Sequence, residues 1–294
     1  MSLSAAKVER LPLAPLTTLG VGGEAELWLI EDVRQLPEAT QEAYKVLGAG
    51  SNLLIGDDGL EERVIKLGCS FNSLAEVDGR LEFWLGAATP LPGLVRRAAE
   101  LGLSGLEGLL GIPAVLGGAI AMNAGTRFGE IADTLVEVEM FVGGGLERLN
   151  AHTLNLSYRH SSLPKGAIIT KAKLALSASS PEKVKTLMDK VDTARKGQPK
   201  IKSAGCAFKN PLGDSAGRLI DQAGLKGLRV GQAMVSFEHA NFIVNLGGAK
   251  AADIVKLLAL IQEKVSPPLE IEWERWGFKL PLEQSELYDM VDGE

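Results

Sequence analysis

The chain has 294 residues, 46% of them hydrophobic and 23% charged, with a formal net charge of −6. That length exceeds the usual size of one hydrophobic core, so two domains are expected, and the acidic balance argues against a nucleic-acid partner. Two cysteines (Cys69 and Cys206) cannot build a disulfide framework, and three histidines without paired spacing offer no metal site.

The opening MSLSAAKVERLPL lacks the long apolar core of a signal peptide. Strand-length runs with β-branched or aromatic content follow at 26–31, 44–48, 63–67, 81–87 and 135–142. Between them, 90–102 reads as a helix with Leu94, Val95, Ala98 and Leu101 on one face. The uncharged stretch 108–126 is long enough to cross a bilayer, but its five glycines, proline and asparagine oppose a continuous helix. It reads as backbone packed against a ligand, so a soluble, cytoplasmic protein with no membrane partner is expected.

A strand at 168–176 leads to Ser180-Pro181, an N-cap with proline at the first helical position. Val184, Leu187, Met188 and Val191 then recur at helical spacing until Gly197 and Pro199. Beyond a boundary near 200 come a helix around 214–224, a strand at 240–246, a helix at 250–265 and a strand at 270–277. The expected organisation is α+β: residues 1–200 as one domain in two lobes dividing near 68, and 201–294 as a second.

Three glycine-rich stretches stand out: TTLGVGG, VLGAGSNLL and GIPAVLGGAIAMNAG. The second follows a strand and could expose backbone N–H groups to a phosphate, or be a plain hairpin. Leu53 stands where a dinucleotide fingerprint needs its third glycine. Taken together, the three imply a flat or extended ligand close to the backbone. Polar residues cluster elsewhere. Tyr158-Arg159 is either surface decoration or a carboxylate clamp. KSAGCAFKNP carries Cys206, Lys209 and Asn210, the thiol being either a buried spacer or an acid. Glu270, Glu272 and Glu274 alternate along one strand, which is a solvent face unless one of them enters a pocket.

TTLGVGG, VLGAGSNLL, GIPAVLGGAIAMNAG, YRHS, SAGCAFKNP, LIDQAGLKGLRVGQA, HANFIVN and LEIEWERWG, in this order over residues 17–277, resemble the bacterial UDP-N-acetylenolpyruvoylglucosamine reductases. The resemblance implies a two-lobed FAD-binding domain of the p-cresol methylhydroxylase/vanillyl-alcohol oxidase type, followed by a substrate domain. The short path from Arg159 to Cys206 resembles the family's shorter, second type. The resemblance also implies that NADPH reduces FAD and that an enolpyruvyl ether on a UDP-sugar is reduced to a lactyl ether.

By the same resemblance Cys206 donates the proton, where most relatives carry serine, and Arg159 and Glu272 stabilise the enolate. Glu274 stands where relatives carry a basic residue, and a two-residue slip would exchange it with Glu272. Gly48, Ala49, Gly50, Ser51, Asn52 and Leu53 would hold the FAD pyrophosphate. Gly111, Ile112, Pro113, Gly117, Gly118 and Asn123 would line the flavin. Tyr158, Arg159, Asn210 and Lys226 would contact the substrate. With no histidine in the two early glycine loops, FAD is expected to bind non-covalently. A flavin oxidase of small alcohols or sugars and a non-catalytic sugar-nucleotide-binding protein are the competing readings. The oligomeric state is open and compatible with a monomer.

Overall fold

The computed structural model describes residues 4–278. It resolves into two compact units, neither continuous in sequence. The first takes the chain up to Glu9, Leu27–Ala49 and Glu62–Lys196; the second takes Arg10–Glu26, Gly50–Glu61 and the chain from Gly197. The boundary expected at 200 therefore falls close to Lys196/Gly197. Two early segments, however, join the second unit, which the continuous division 1–200 did not anticipate.

Backbone pairing accounts for that membership. Strand Leu53–Ile55 lies parallel to Glu274–Trp276, with Leu53 opposite Glu274 and Ile55 opposite Trp276. The Asp57 carboxylate accepts from the Ala251 and Ala252 N–H groups (2.8 and 3.1 Å), capping helix Ala251–Lys264. A helix leaves its first N–H groups without internal partners, so this cap ties the early segment to the late one. The same helix buries Ile254, Val255, Leu257, Leu258 and Ile261. Each such side chain contributes about 1.5–3 kcal/mol of burial. That face packs with Leu54, Phe208 and Trp273 in the second unit's core.

Two four-stranded sheets are built largely from first-unit residues. One runs in the order Lys7–Pro12, Glu24–Ile30, Arg63–Leu67, Tyr44–Val46, with the last two pairings parallel. The other is antiparallel, in the order Gly145–Asn150, Leu135–Val142, Ile168–Ala175, Glu82–Gly86. Helix Leu91–Glu100 lays Leu91, Leu94, Val95 and Ala98 onto the second sheet's core. Ser180 accepts from Lys183 N–H to cap helix Pro181–Arg195, whose Val184 and Val191 are buried. Leu187, expected on that face, is instead 43% exposed at its edge.

The uncharged stretch 108–126 breaks into a turn, a short helix Leu116–Ala121 and a two-residue strand. No helix among the described residues is long and apolar enough to cross a membrane. The expected strand 270–277 is also shorter than its alternation suggested. Only Glu274–Trp276 is strand, and Ile271 joins Phe208 in an isolated antiparallel bridge.

Candidate active site

In the first unit, the early glycine loop leaves the Tyr44–Val46 strand and turns at Gly48, whose carbonyl accepts from the Lys66 ammonium (2.7 Å). A methyl group added at Gly48 would stand 3.2 Å from the Val115 side chain and 3.8 Å from the Gly118 Cα. Two of the expected cofactor loops thus approach each other at Gly48, where a side chain would press on Val115. They line a cavity of about 130 Å³ with Ala87, Ala88, Ala121 and Ile169, and Lys66 is its one charged lining residue. Burial pushes the Lys66 ammonium below its ordinary pKa. Gly117 and Gly118 line this cavity; Gly111, Ile112 and Pro113 lie outside it. Gly111 sits at φ +79° with its carbonyl accepting from Arg195.

The later part of that glycine stretch builds the arginine turn. Ser157 and His160 exchange backbone hydrogen bonds (3.1 and 3.0 Å), leaving Tyr158 and Arg159 as the two central turn residues. Asn123 is fully buried; its amide donates to Ser157 O (3.0 Å) and its oxygen accepts from Ala132 N–H (3.2 Å). Ser161 Oγ donates to Ala121 O (2.7 Å), and an Arg159 guanidinium N–H donates to Gly125 O (3.1 Å). Arg159 has φ +55°, a conformation that costs a non-glycine residue about 1–3 kcal/mol and persists only where its surroundings impose it. Its guanidinium carbon lies 5.1 Å from the Tyr158 ring centroid, in cation–π range. Asn123 thus serves the turn that carries Arg159, a structural task the loop's composition did not disclose.

In the second unit, the loop continues through Gly50, Ser51, Asn52 and Leu53. Gly50 has φ +64°, and a methyl group there would lie 2.2 Å from Leu16 O. Asn52 is tied to the late strand: its amide donates to Glu272 O (3.4 Å), and its carbonyl accepts from Glu274 N–H (3.1 Å).

KSAGCAFKNP runs beside the same late segment. Glu272 N–H donates to Ala207 O and Lys209 N–H donates to Glu270 O, both at 2.8 Å. Ala207 therefore faces Glu272 with half-buried Cys206 next to it, and Cys206 bridges to Phe242 on its other side. The three glutamates separate by environment. Glu270 is exposed and pairs with Lys209 (2.6 Å). Glu274 is exposed and accepts from the Trp276 indole (2.8 Å). Glu272 is half-buried, and its N–H bonds to Ala207, the residue next to Cys206.

Asn241 holds that loop. It is 2% exposed; its oxygen accepts from Phe208 N–H (3.0 Å) and its amide donates to Phe208 O (2.8 Å). Its own carbonyl accepts from Ala207 N–H (2.8 Å). Asn210 accepts from Ala216 N–H (3.0 Å) at the start of the next helix, and Lys226 pairs with Asp221 (2.8 Å). His239 is held below its ordinary pKa, first by burial.

The sequence reading missed Asn241 and Lys66. A buried amide inside the apolar run ANFIVN was the available signal for the first. Lys66 in RVIKL carried none, because strand alternation alone would send it to solvent. No group of three or more His, Cys, Asp or Glu among the described residues could hold a metal ion.

Comparison with known proteins bears on these residues. A family model for the C-terminal domain of UDP-N-acetylenolpyruvoylglucosamine reductase matches residues 198–275, and an FAD binding domain model matches residues 30–149. The UDP-N-acetylenolpyruvoylglucosamine reductase of one Thermus thermophilus strain is 57% identical over 270 residues, covering 92% of this chain and 99% of the relative. That of Deinococcus radiodurans is 51% identical over 288 residues, covering 95% and 99%. The crystal structure of the reductase from Thermus caldophilus superposes with a TM-score of 0.88 at 56% identity, over 92% of this chain and all of that one.

Proposed function

Since the chain belongs to the UDP-N-acetylenolpyruvoylglucosamine reductase family, an oxidoreductase family with an FAD binding domain, we propose that it uses NADPH to reduce the enolpyruvyl ether of UDP-N-acetylenolpyruvoylglucosamine. The product is UDP-N-acetylmuramate, a peptidoglycan precursor, made in the cytoplasm.

The lining of the first unit's cavity suits part of a flavin dinucleotide: its small and apolar side chains would admit a flat ring system, and its single cation would suit one anionic segment. Gly48, Gly117 and Gly118 line it; Ala49, Gly50, Ser51, Asn52 and Leu53 continue the loop that would follow the diphosphate. Gly111, Ile112 and Pro113 precede Gly117 in the second loop and lie outside the cavity. When bound, FAD would supply the hydride, drawn from NADPH, that adds to the vinyl carbon.

The chain's own residues handle the charge and the proton. Addition at the terminal vinyl carbon leaves negative charge on its neighbour, spread into the carboxylate. Arg159, preset in its turn, presents a guanidinium fork to that carboxylate. Glu272 in its protonated form donates a hydrogen bond to the same enolate. Cys206 gives its thiol proton to the neighbouring carbon and is reprotonated from solvent. A thiol with an ordinary pKa near 8.5 is mostly protonated at neutral pH and is a far stronger acid than a serine hydroxyl. Tyr158, Asn210 and Lys226 contact the sugar nucleotide.

The observation that supports the assignment is the hydrogen bond from Glu272 N–H to the carbonyl of Ala207, the residue next to Cys206; Glu274 bonds instead to Asn52 O. The test is a visible spectrum of the purified protein and NADPH oxidation with and without the enolpyruvyl substrate. A flavin spectrum and substrate-dependent oxidation are expected. A colourless protein, or flavin reoxidised by oxygen with no need for the substrate, overturns the proposal.

A further inference from the structure

Lys66 has no part in the proton and charge transfers above, yet it is the one titratable group lining the first unit's cavity. Its strand, Arg63–Leu67, runs parallel to Tyr44–Val46, the strand that feeds the early glycine loop. Its ammonium directs one of three N–H donors to Gly48 O at 2.7 Å. The surrounding wall is aliphatic or glycine: Val46, Leu67, Ala88, Val115, Gly118 and Ala167.

A lone ammonium against such a wall loses hydration that one carbonyl only partly replaces. Burial accordingly depresses its basicity, and an anion in the cavity would restore the charged form. A chain stabilising only its own loop could end that strand with a neutral residue. An ammonium there can also donate to a negatively charged ligand segment passing the loop carbonyl.

We propose that Lys66 is the anion contact of this cavity and binds the diphosphate of the flavin dinucleotide, fixing it against Gly48. This rests on the FAD reading above and goes beyond it by assigning the diphosphate's countercharge to a residue outside the glycine loops.

The test uses the full, flavin-loaded chain and its Lys66→Met and Lys66→Arg variants. Dissociation is followed by the fluorescence of flavin released on dilution across a NaCl series. ADP (a diphosphate without flavin) and riboflavin (a flavin without phosphate) serve as competitors. Lys66→Met should weaken FAD and ADP at least about tenfold while leaving riboflavin within about twofold, and Lys66→Arg should retain most of the affinity. Salt should weaken FAD binding to the wild type and not riboflavin binding, with a shallower slope for Lys66→Met.

Unchanged FAD affinity in Lys66→Met overturns the proposal, as does an equal loss for riboflavin, which would make Lys66 a support for the loop or a ring contact. Should Lys66→Met not fold, the wild-type salt series decides alone: salt-insensitive FAD binding overturns the proposal. A wild-type chain that binds no FAD overturns the cofactor reading itself, and this inference with it.

Discussion

Replacing Asn241 by leucine keeps the side chain's size and removes both of its hydrogen bonds. In the native chain these bonds satisfy the N–H and the C=O of Phe208, a residue with no exposed surface. Water cannot take their place, so each orphaned backbone group costs about 1–3 kcal/mol. The sum is about 2–6 kcal/mol, against the 5–15 kcal/mol or so that an ordinary domain possesses. Either the second unit loosens or the KSAGCAFKNP segment shifts to find other partners, and Cys206 moves with it. A displacement of about 1 Å at a reacting group costs on the order of a hundredfold in rate. Urea unfolding should show the stability loss. Stopped-flow mixing should show flavin reduction by NADPH within about twofold of wild type and reoxidation by the enolpyruvyl substrate slowed on the order of a hundredfold. If Asn241→Leu unfolds at the wild-type urea concentration and reoxidises at the wild-type rate, Asn241 does not hold the loop.

Gly50→Ala should destabilise by more than about 2 kcal/mol, since a left-handed backbone costs alanine about 1–2 kcal/mol and its Cβ would meet Leu16 O at 2.2 Å. Gly143→Ala, at a similar φ of +58° with open space around it, should lose only the backbone part; equal urea midpoints for the two variants would refute the steric argument. His239, neutral and half-buried, accepts from Asn241 N–H through Nδ1 (3.3 Å). Its folded pKa lies below the ordinary 6.5, so its contribution is present above that value and is lost as pH falls through the folded pKa. The melting temperature should therefore drop less for His239→Gln than for wild type between about pH 7.5 and 5, and parallel profiles would contradict this. Glu272→Ala should abolish substrate turnover and Glu274→Ala should retain it; the reverse pattern would transfer the enolate role to Glu274.

Much of the fold was legible because local chemistry and tertiary packing agree. The Ser180-Pro181 cap, the apolar face of Leu94, Val95 and Ala98, and the run Leu135–Val142 all form the elements their spacing implies. What stayed hidden depends on partners distant in sequence. The cap on helix Ala251–Lys264 comes from Asp57, and the parallel partner of Leu53–Ile55 lies in the last described strand. No periodicity reports such pairings, so Arg10–Glu26 and Gly50–Glu61 read as part of the first domain. The three glutamates were likewise equivalent by alternation. Only the Lys209 ion pair, the Trp276 indole and the bond to Ala207 distinguish them. The cysteine was visible as an oddity, and the role proposed for it rests on the motifs around it.

The central claim is that Cys206 supplies the proton for reduction of the enolpyruvyl group. The direct measurement is a single turnover: reduce the bound flavin of wild type, Cys206→Ala and Cys206→Ser with NADPH, then mix with UDP-N-acetylenolpyruvoylglucosamine and follow flavin reoxidation without oxygen. The account predicts wild-type rates of reduction in all three. Reoxidation should be lost in Cys206→Ala by a factor on the order of a hundred to ten thousand and largely kept in Cys206→Ser. Reoxidation of Cys206→Ala at the wild-type rate would contradict it.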